Sequence, residues 1–305
     1  MPSTAQTGTR DLSDDPTYNA LRRRRNLFGV VAALFLALVI ISGLLDEMTS
    51  ANADRSFVVG AAPRLVIRDG VSGGLRGGIT VDAGAGDRIV VQGKVHGTWR
   101  VRYTLAQRGD DVVIDVQPRP LLGWLGFLGP ARFAVTAPPP TRLEIDTRDA
   151  AMQVHGITGG GGLHTDNGSI DLNNAGGLFK VATTNGAITV TRFDGSAELR
   201  STNGRVDVEE SRGTFDVRTT NGVIVLDAEL RSPGRHQVVS TNGAVTVRLA
   251  GQPSLRIDAR STNGAVVAHR PIAAADSTGH ALTGAIGAGE AELRVLTTNG
   301  RIAIE

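Results

Sequence analysis

The sequence predicts an all-β protein: a β-solenoid, similar to a parallel β-helix, with rungs of 18–21 residues behind one N-terminal transmembrane helix. Three observations support this fold class. The dipeptide Asn-Gly recurs seven times between residues 167 and 300, alternating apolar residues flank each copy, and residues 27–45 form a run without a charge. Cysteine is absent, which excludes disulfides, thiolate metal sites and a cysteine nucleophile.

The N-terminal segments determine where the chain is expected to lie. Residues 1–25 predict a disordered cytoplasmic tail, and residues 26–45 predict a transmembrane helix, since 19 uncharged residues span about 28 Å of a ~30 Å hydrocarbon layer. The tail contributes the whole formal charge of +2. By the positive-inside tendency, the β domain lies outside the membrane, because four arginines precede the apolar run: Arg22, Arg23, Arg24 and Arg25.

A cleaved signal peptide is the alternative to this anchor, because Ala51-Asn52-Ala53 has the small residues of a cleavage site. The apolar run exceeds the usual ~7–15 residues of such peptides, which favours the uncleaved anchor. Both interpretations export the large domain to the cell envelope. Beyond the tail the charges balance, so no basic excess remains for a phosphate backbone and nucleic acid is not an expected partner.

Residues 46–56 are predicted to form a linker, and residues 57–145 an irregular, strand-rich lead-in that forms either irregular rungs or a small sheet capping the first rung. This lead-in contains an unusually apolar loop. The loop is interpreted either as a buried hairpin or as a site of interaction with the membrane or a partner. Its apolar residues are Leu121, Leu122, Trp124, Leu125, Phe127 and Leu128.

Residues 146–305 hold the repeat. Successive Asn-Gly turns are 18, 18, 18, 21, 21 and 36 residues apart, and the last interval is interpreted as two rungs whose middle turn is degenerate near Thr283-Gly284. Asp149 stands one period upstream, so the array is expected to begin near Thr147. The predicted structural turn ladder consists of Asn167, Gly168, Asn185, Gly186, Asn203, Gly204, Asn221, Gly222, Asn242, Gly243, Asn263, Gly264, Asn299 and Gly300.

The residues around each turn repeat as well. A Thr or Ser lies two residues before each Asn, and apolar residues lie four before the Asn and two and four after the Gly. This alternation predicts strands with one buried face. A solenoid explains why the same side chain recurs at each position, whereas an antiparallel β-meander or sandwich is the alternative, because Asn-Gly is also a hairpin signal.

Turn chemistry is the favoured explanation of the recurrent dipeptide. Asn and Gly tolerate positive φ, and stacked Asn amides can hydrogen-bond from rung to rung. The alternative is a ligand-binding array along this edge for sugar, ice or metal.

Three features together resemble a known family: the anchor, the Pro-rich segment at 133–147, and the repeated Thr-Thr-Asn-Gly turns. The chain is similar, over residues 57–305, to a bacterial putative adhesin domain of unknown function. The resemblance implies an all-β, solenoid-like fold in cell-envelope proteins that are often membrane-attached. It brings no catalytic residues with it.

A polysaccharide-acting enzyme on a β-helix scaffold is the alternative function. Asp171 and Asp207 share one outward position two rungs apart, about 9–10 Å, which an inverting carboxylate pair could span, but a solvated face is the favoured interpretation. His155 and His164 are half a period apart and are expected on opposite sheets, so no metal or cofactor is predicted.

The sequence therefore predicts a non-enzymatic, single-pass protein of the cell membrane whose exported β domain presents a surface. Its expected partner is another envelope protein or a glycan. Self-association is a second interpretation, because open solenoid ends can stack.

Overall fold

The computed structural model describes residues 28–37, 40–41, 44, 48–69, 77–95, 101–118 and 131–305. The chain divides into two units, 1–48 and 49–305. In the first unit, the described residues at 28–37, 40–41, 44 and 48 are helical, with exposed apolar side chains. Across the described ranges, no helix has the length and apolar character needed to span a membrane. Part of the predicted span, and all of residues 1–25, lie outside those ranges.

The prediction of an all-β domain is confirmed in the second unit, where strand follows strand. The strands are β1 (Ala51–Asn52), β2 (Arg55–Val58), β3 (Arg64–Asp69), β4 (Ile79–Ala83), β5 (Arg88–Val95), β6 (Val101–Arg108), β7 (Asp111–Pro118), β8 (Ala131–Ala137), β9 (Arg142–Thr147), β10 (Met152–His155), β11 (Gly161–Thr165), β12 (Ile170–Asn173), β13 (Gly176–Thr183), β14 (Ile188–Thr191), β15 (Asp194–Ser201), β16 (Val206–Thr219), β17 (Ile224–Leu230), β18 (Arg235–Ser240), β19 (Val245–Leu249), β20 (Leu255–Ser261), β21 (Val266–Ala268), β22 (Ala273–Thr278), β23 (Ala281–Ile286), β24 (Ala291–Thr297) and β25 (Ile302–Ile304).

These strands form a solenoid, because equivalent strands of successive repeats pair in parallel and in register. Each rung contains one strand before its turn, in the upstream stack, and one after it, in the downstream stack. The upstream stack has the order β7, β3, β9, β11, β13, β15, β16, β18, β24, β20. The downstream stack has the order β8, β4, β10, β12, β14, β16, β17, β19, β25, β21. The alternative prediction, an antiparallel meander of the repeats, is therefore wrong.

Two rungs lie outside chain order. The β24–β25 rung, last in the chain, lies between the β18–β19 and β20–β21 rungs. At the other end, the β3–β4 rung lies between the β7–β8 and β9–β10 rungs. The predicted degenerate turn near Thr283-Gly284 is therefore wrong: both residues belong to β23, which runs antiparallel to β20. The interval of 36 residues holds a hairpin instead of a faded rung.

Antiparallel strands cover the two ends of the stack. At the first rung, β6 pairs with β7, and β5 pairs with β8 and carries β1 and β2 on its other side. At the last rung, β20 is followed outward by β23 and β22. The predicted lead-in thus supplies two rungs of the stack as well as most of the covering strands at its first end. Residues 46–56, predicted as a linker, contribute β1 and the start of β2 to that end.

The two stacks share one core of buried aliphatic and aromatic side chains. One core column alternates in size along neighbouring rungs: Gly161, Phe179, Ala197 and Phe215 pair in register. Phe193 packs edge-on against Phe179 and Phe215, with ring centroids 6.2 Å from each. Its ring occupies the space that the small Ala197 leaves, as close packing requires.

Candidate functional site

The most regular feature of the described surface is the edge formed by the repeated turns. Each turn is held by a buried hydroxyl group. The Thr or Ser two residues before each Asn accepts a hydrogen bond from the N–H of its own turn glycine, at 2.8–3.2 Å. From Thr183 onward along the stack, the same hydroxyl donates to the carbonyl oxygen of the glycine one rung below, at 2.8–3.2 Å. The hydroxyl therefore satisfies buried backbone groups of two rungs, which would be costly to leave unpaired.

The turn glycines are needed because neighbouring turns touch. A Cβ added to Gly204 would overlap the carbonyl oxygen of Gly186, and the other turn glycines from Gly186 onward meet the turn below in the same way. None of these glycines or their preceding Asn residues has a positive φ. The expectation that the dipeptide supplies positive φ is therefore wrong; the requirement is for close approach of two backbones.

The Asn side chains form a continuous exposed ladder. Each amide Nδ2 donates to the side chain one rung below at 2.6–2.8 Å, and the first acceptor is Asp149 Oδ1. The array thus begins at Asp149. In stack order Asn299 lies between Asn242 and Asn263. Because all the amides point the same way, their dipoles add, and the carboxylate of Asp149 lies at the positive end.

A row of threonines runs beside the Asn ladder, one residue before each Asn except Asn167, which follows Asp166. In stack order these are Thr184, Thr202, Thr220, Thr241, Thr298 and Thr262, and all but the first are exposed. Among the residues that the structure describes, their hydroxyl groups make no side-chain hydrogen bond. Turn geometry accounts for the buried hydroxyl, the Asn and the Gly, but it does not account for this row.

The carboxylates of the enzyme alternative lie where the sequence predicts them. Asp171 pairs in register with Thr189, and Thr189 with Asp207, so the two acids are two rungs apart. Arg205 Nε donates to Asp207 Oδ2 at 2.5 Å, while the Oδ1 atom of each aspartate is buried without a hydrogen-bond partner. They lie on the downstream stack, away from the turn edge of threonines.

The histidines lie apart from one another. His155 is on β10 of the downstream stack, where its Nδ1 is 2.9 Å from Asp82 Oδ1. His164 is on β11 of the upstream stack, where its Nε2 is 3.7 Å from Asp166 Oδ1. In the described part of the chain, no three His, Asp or Glu side chains are placed to share a metal ion.

Several predicted residues lie outside the described ranges. The apolar loop of Leu121, Leu122, Trp124, Leu125, Phe127 and Leu128 is among them, and so are Arg22, Arg23, Arg24 and Arg25. Sequence reasoning also missed His236, a fully buried ring. It lies four residues before the buried hydroxyl of Ser240, which is the offset of Phe215 from Thr219.

Parallel rungs, one apolar core and a hydrogen-bonded turn ladder define the class of β-solenoid proteins. Within this class, the chain belongs to the Toastrack DUF4097 family, whose model matches residues 106–305. This match confirms the resemblance that the repeated turns indicate.

The chain is also similar to solved structures of bacterial proteins. One is described as a putative cell adhesion protein from Clostridium sporogenes; it is 12% identical, with 83% of this chain and 99% of that chain covered and a TM-score of 0.27. Another is described as a putative adhesin from Bacteroides fragilis; it is 11% identical, with 83% and 96% covered and a TM-score of 0.40. No curated protein matches the chain.

Proposed function

We propose that this protein is a non-enzymatic, adhesin-like component of the cell envelope, held by a single-pass anchor at 26–45, whose β domain presents its outer surface to another envelope component. The continuous turn edge supports this proposal most directly. Asn299 continues the ladder between Asn242 and Asn263, with Thr298 beside it, although their rung is the last one in the sequence. A rigid edge with polar groups spaced about 4.8 Å apart suits an extended surface or polymer as its partner.

The fold favours an uncleaved anchor over a cleaved signal peptide. Ala51 and Asn52 form β1, which pairs with β5, and the N–H of Ala53 donates to the carbonyl of Gly93 at 2.7 Å. Ala53 is itself buried. Cleavage after Ala53 would remove a paired strand from the sheet.

Cysteine labelling tests the orientation of the anchor, since the natural chain has no cysteine. Gln252→Cys changes an exposed residue of the β domain, and Ser3→Cys is the matched change in the tail. In intact bacterial cells, a membrane-impermeant maleimide should label Gln252→Cys alone, and it should label Ser3→Cys after lysis. Reversed labelling, or a mature chain that begins after Ala53, would contradict the proposed topology.

Co-sedimentation tests the presenting surface. The purified full-length protein should pellet with envelope fragments of its own organism and should leave their glycan chains uncut. Asp171→Asn/Asp207→Asn keeps the shape of both side chains and should bind equally well. Release of new sugar ends by the natural protein, lost in this double variant, would instead establish the polysaccharide-acting enzyme, and absence of co-sedimentation would contradict a surface that binds envelope material.

A further inference from the structure

One outward-facing column of side chains on the upstream stack is basic in one part and apolar in another. It holds the residue immediately before each buried hydroxyl, and in stack order it reads His164, Ala182, Arg200, Arg218, Val239, Leu296 and Arg260. Ala182 is the small member. Because His164 and Arg200 are two rungs apart, roughly 9.6 Å along the stack, Ala182 leaves a gap between them.

A groove of 350 Å³ lies over Ala182, and its lining is basic and hydroxylic. The basic side chains are those of His164, Arg200 and Arg218. No carboxylate lines this groove; Glu144, Asp146 and Glu198 line an adjoining groove that shares Ala182. The row of threonines enters the same groove through the half-buried Thr184 and the exposed Thr202 and Thr220. The groove therefore combines cations with hydroxyl groups that have no side-chain partner among the described residues.

The two arginines keep free donors despite their ion pairs. Arg200 contacts Glu198 through Nη1, and its side chain is 52% exposed. Arg218 donates from Nε and Nη2 to Asp216 and from Nη2 to Gln237, and its side chain is 43% exposed. The remaining guanidinium N–H groups are available, and guanidinium binds carboxylate and phosphate through charge-assisted hydrogen bonds.

We propose that this groove, the Ala182 groove, binds the acidic group of an anionic glycan. A carboxylate or phosphate on the polymer would contact Arg200 and Arg218, and neighbouring sugar hydroxyls would contact the Thr and Asn rows. This inference rests on the proposed function and deepens it, since it names the ligand class and the face that binds it. Carboxylate and phosphate share this chemistry, so the test includes a probe of each kind.

The test measures binding of the purified full-length protein by calorimetry. The probes are oligogalacturonate, which carries carboxylates, poly(glycerol phosphate), which carries phosphates, and neutral dextran. We expect binding to at least one anionic probe and none to dextran. Arg200→Gln/Arg218→Gln and Ala182→Gln, which fills the groove without changing its charge, should each weaken binding about tenfold or more.

Two variants serve as matched controls. Arg260→Gln removes an arginine with the same pairing to an acid two residues earlier, Asp258, but it lies beyond the groove, beside Leu296. Ala303→Gln makes the same change as Ala182→Gln on the downstream stack. Both should bind within about twofold of the natural protein. All variants should keep the thermal midpoint of the natural protein.

The outcomes separate this proposal from the one it rests on. Binding to neither anionic probe, equal binding to dextran, or full binding by Ala182→Gln overturns the Ala182 groove. If Arg200→Gln/Arg218→Gln pellets with envelope fragments as well as the natural protein does, the groove is overturned while the presenting surface stands. If the natural protein does not pellet, the presenting surface fails even where the purified probes bind.

Discussion

His236 occupies a core position that Phe215 and Leu293 occupy in the adjacent rungs. Its side chain is fully buried, and both ring nitrogens have backbone partners. Nδ1 accepts a hydrogen bond from the N–H of Phe215 at 3.4 Å, and Nε2 lies 2.9 Å from the carbonyl oxygen of Arg231, to which it must donate. These partners fit the neutral ring with its proton on Nε2. Burial lowers the pKa of His236, and the hydrogen bond to Arg231 offsets part of this effect.

This residue predicts a loss of stability in acid. Because the pKa of His236 is lower in the folded state than the ordinary ~6.5, the unfolded state binds more protons below that pH, and the free energy of unfolding falls as the pH decreases. His236→Leu removes the group. The variant should be less stable at pH 7.5 by about 1–3 kcal/mol, because two backbone groups lose a partner. Its thermal midpoint should then fall less between pH 7.5 and 5.5 than that of the natural protein; equal falls would contradict the assignment.

The parity of the repeat accounts for some of the core residues. Phe179 and Phe215 lie at even spacing from the apolar ladder, and both are buried. His236 escaped notice because the alignment of repeats ended two residues before the hydroxyl. If the alignment is extended by two more residues, His236 falls in the same column as the two phenylalanines. If the residue immediately before each hydroxyl is also aligned, His164, Ala182, Arg200 and Arg218 form a second column.

At the scale of the turn, the spacing of Asn-Gly predicted the stacking, while the reason for the glycine needed the structure. An 18-residue interval between identical side chains places them one above another, and the amide ladder follows from that. How close the backbones approach depends on the turn path, which sequence spacing does not specify. At the other corner of the rung, the non-glycine residues with positive φ are Asn174, Arg192 and Glu210, at 50°, 52° and 47°. Arg and Glu are not common turn residues, so the repeat does not identify this position.

Because neighbouring turns lie so close together, we expect that a side chain at Gly204 destabilises the protein. Gly204→Ala should destabilise the protein by about 1–3 kcal/mol, because its Cβ would overlap the carbonyl oxygen of Gly186 and force two rungs apart. Gly204→Asn should be no better, although Asn tolerates positive φ. Denaturant unfolding measures both changes. Gly162→Ala is the matched control on an outward strand position with open space around the added Cβ, and it should cost nothing. A well-tolerated Gly204→Asn would restore the explanation by positive φ.

At the scale of the whole molecule, the order of the rungs could not be derived from the repeat. An interval of 36 residues is twice 18, so a faded rung fits it as well as a hairpin does. Identical side chains identify equivalent positions within the rungs, but they do not determine the order in which the rungs stack. The rung made by β24 and β25 therefore completes the ladder between two rungs that precede it in the chain.

This interlocking predicts that a change in the last rung is felt on both of its sides. Leu293 on β24 pairs in register with His236 of β18 and with Ile257 of β20. Leu293→Ala leaves a cavity at this junction and should cost about 2–5 kcal/mol. Hydrogen exchange should accelerate in residues 235–249 and in residues 255–268 together, because both rungs hydrogen-bond to the rung that carries the cavity.

A solenoid with rungs in chain order would respond differently, since residues 235–249 would then pair with 255–268 and not with the last rung. Leu163→Ala is the matched control, because Leu163 lies in a rung whose neighbours are in chain order. Its effect on exchange should be confined to the rungs of Ile145 and Val181. Deletion of 291–305 extends the test: it should release 255–286 from protection while 161–219 stays protected, because β20 and β21 lose the strands that join them to the rest of the stack. Protection of 255–268 in that deletion would mean that the rungs stack in chain order.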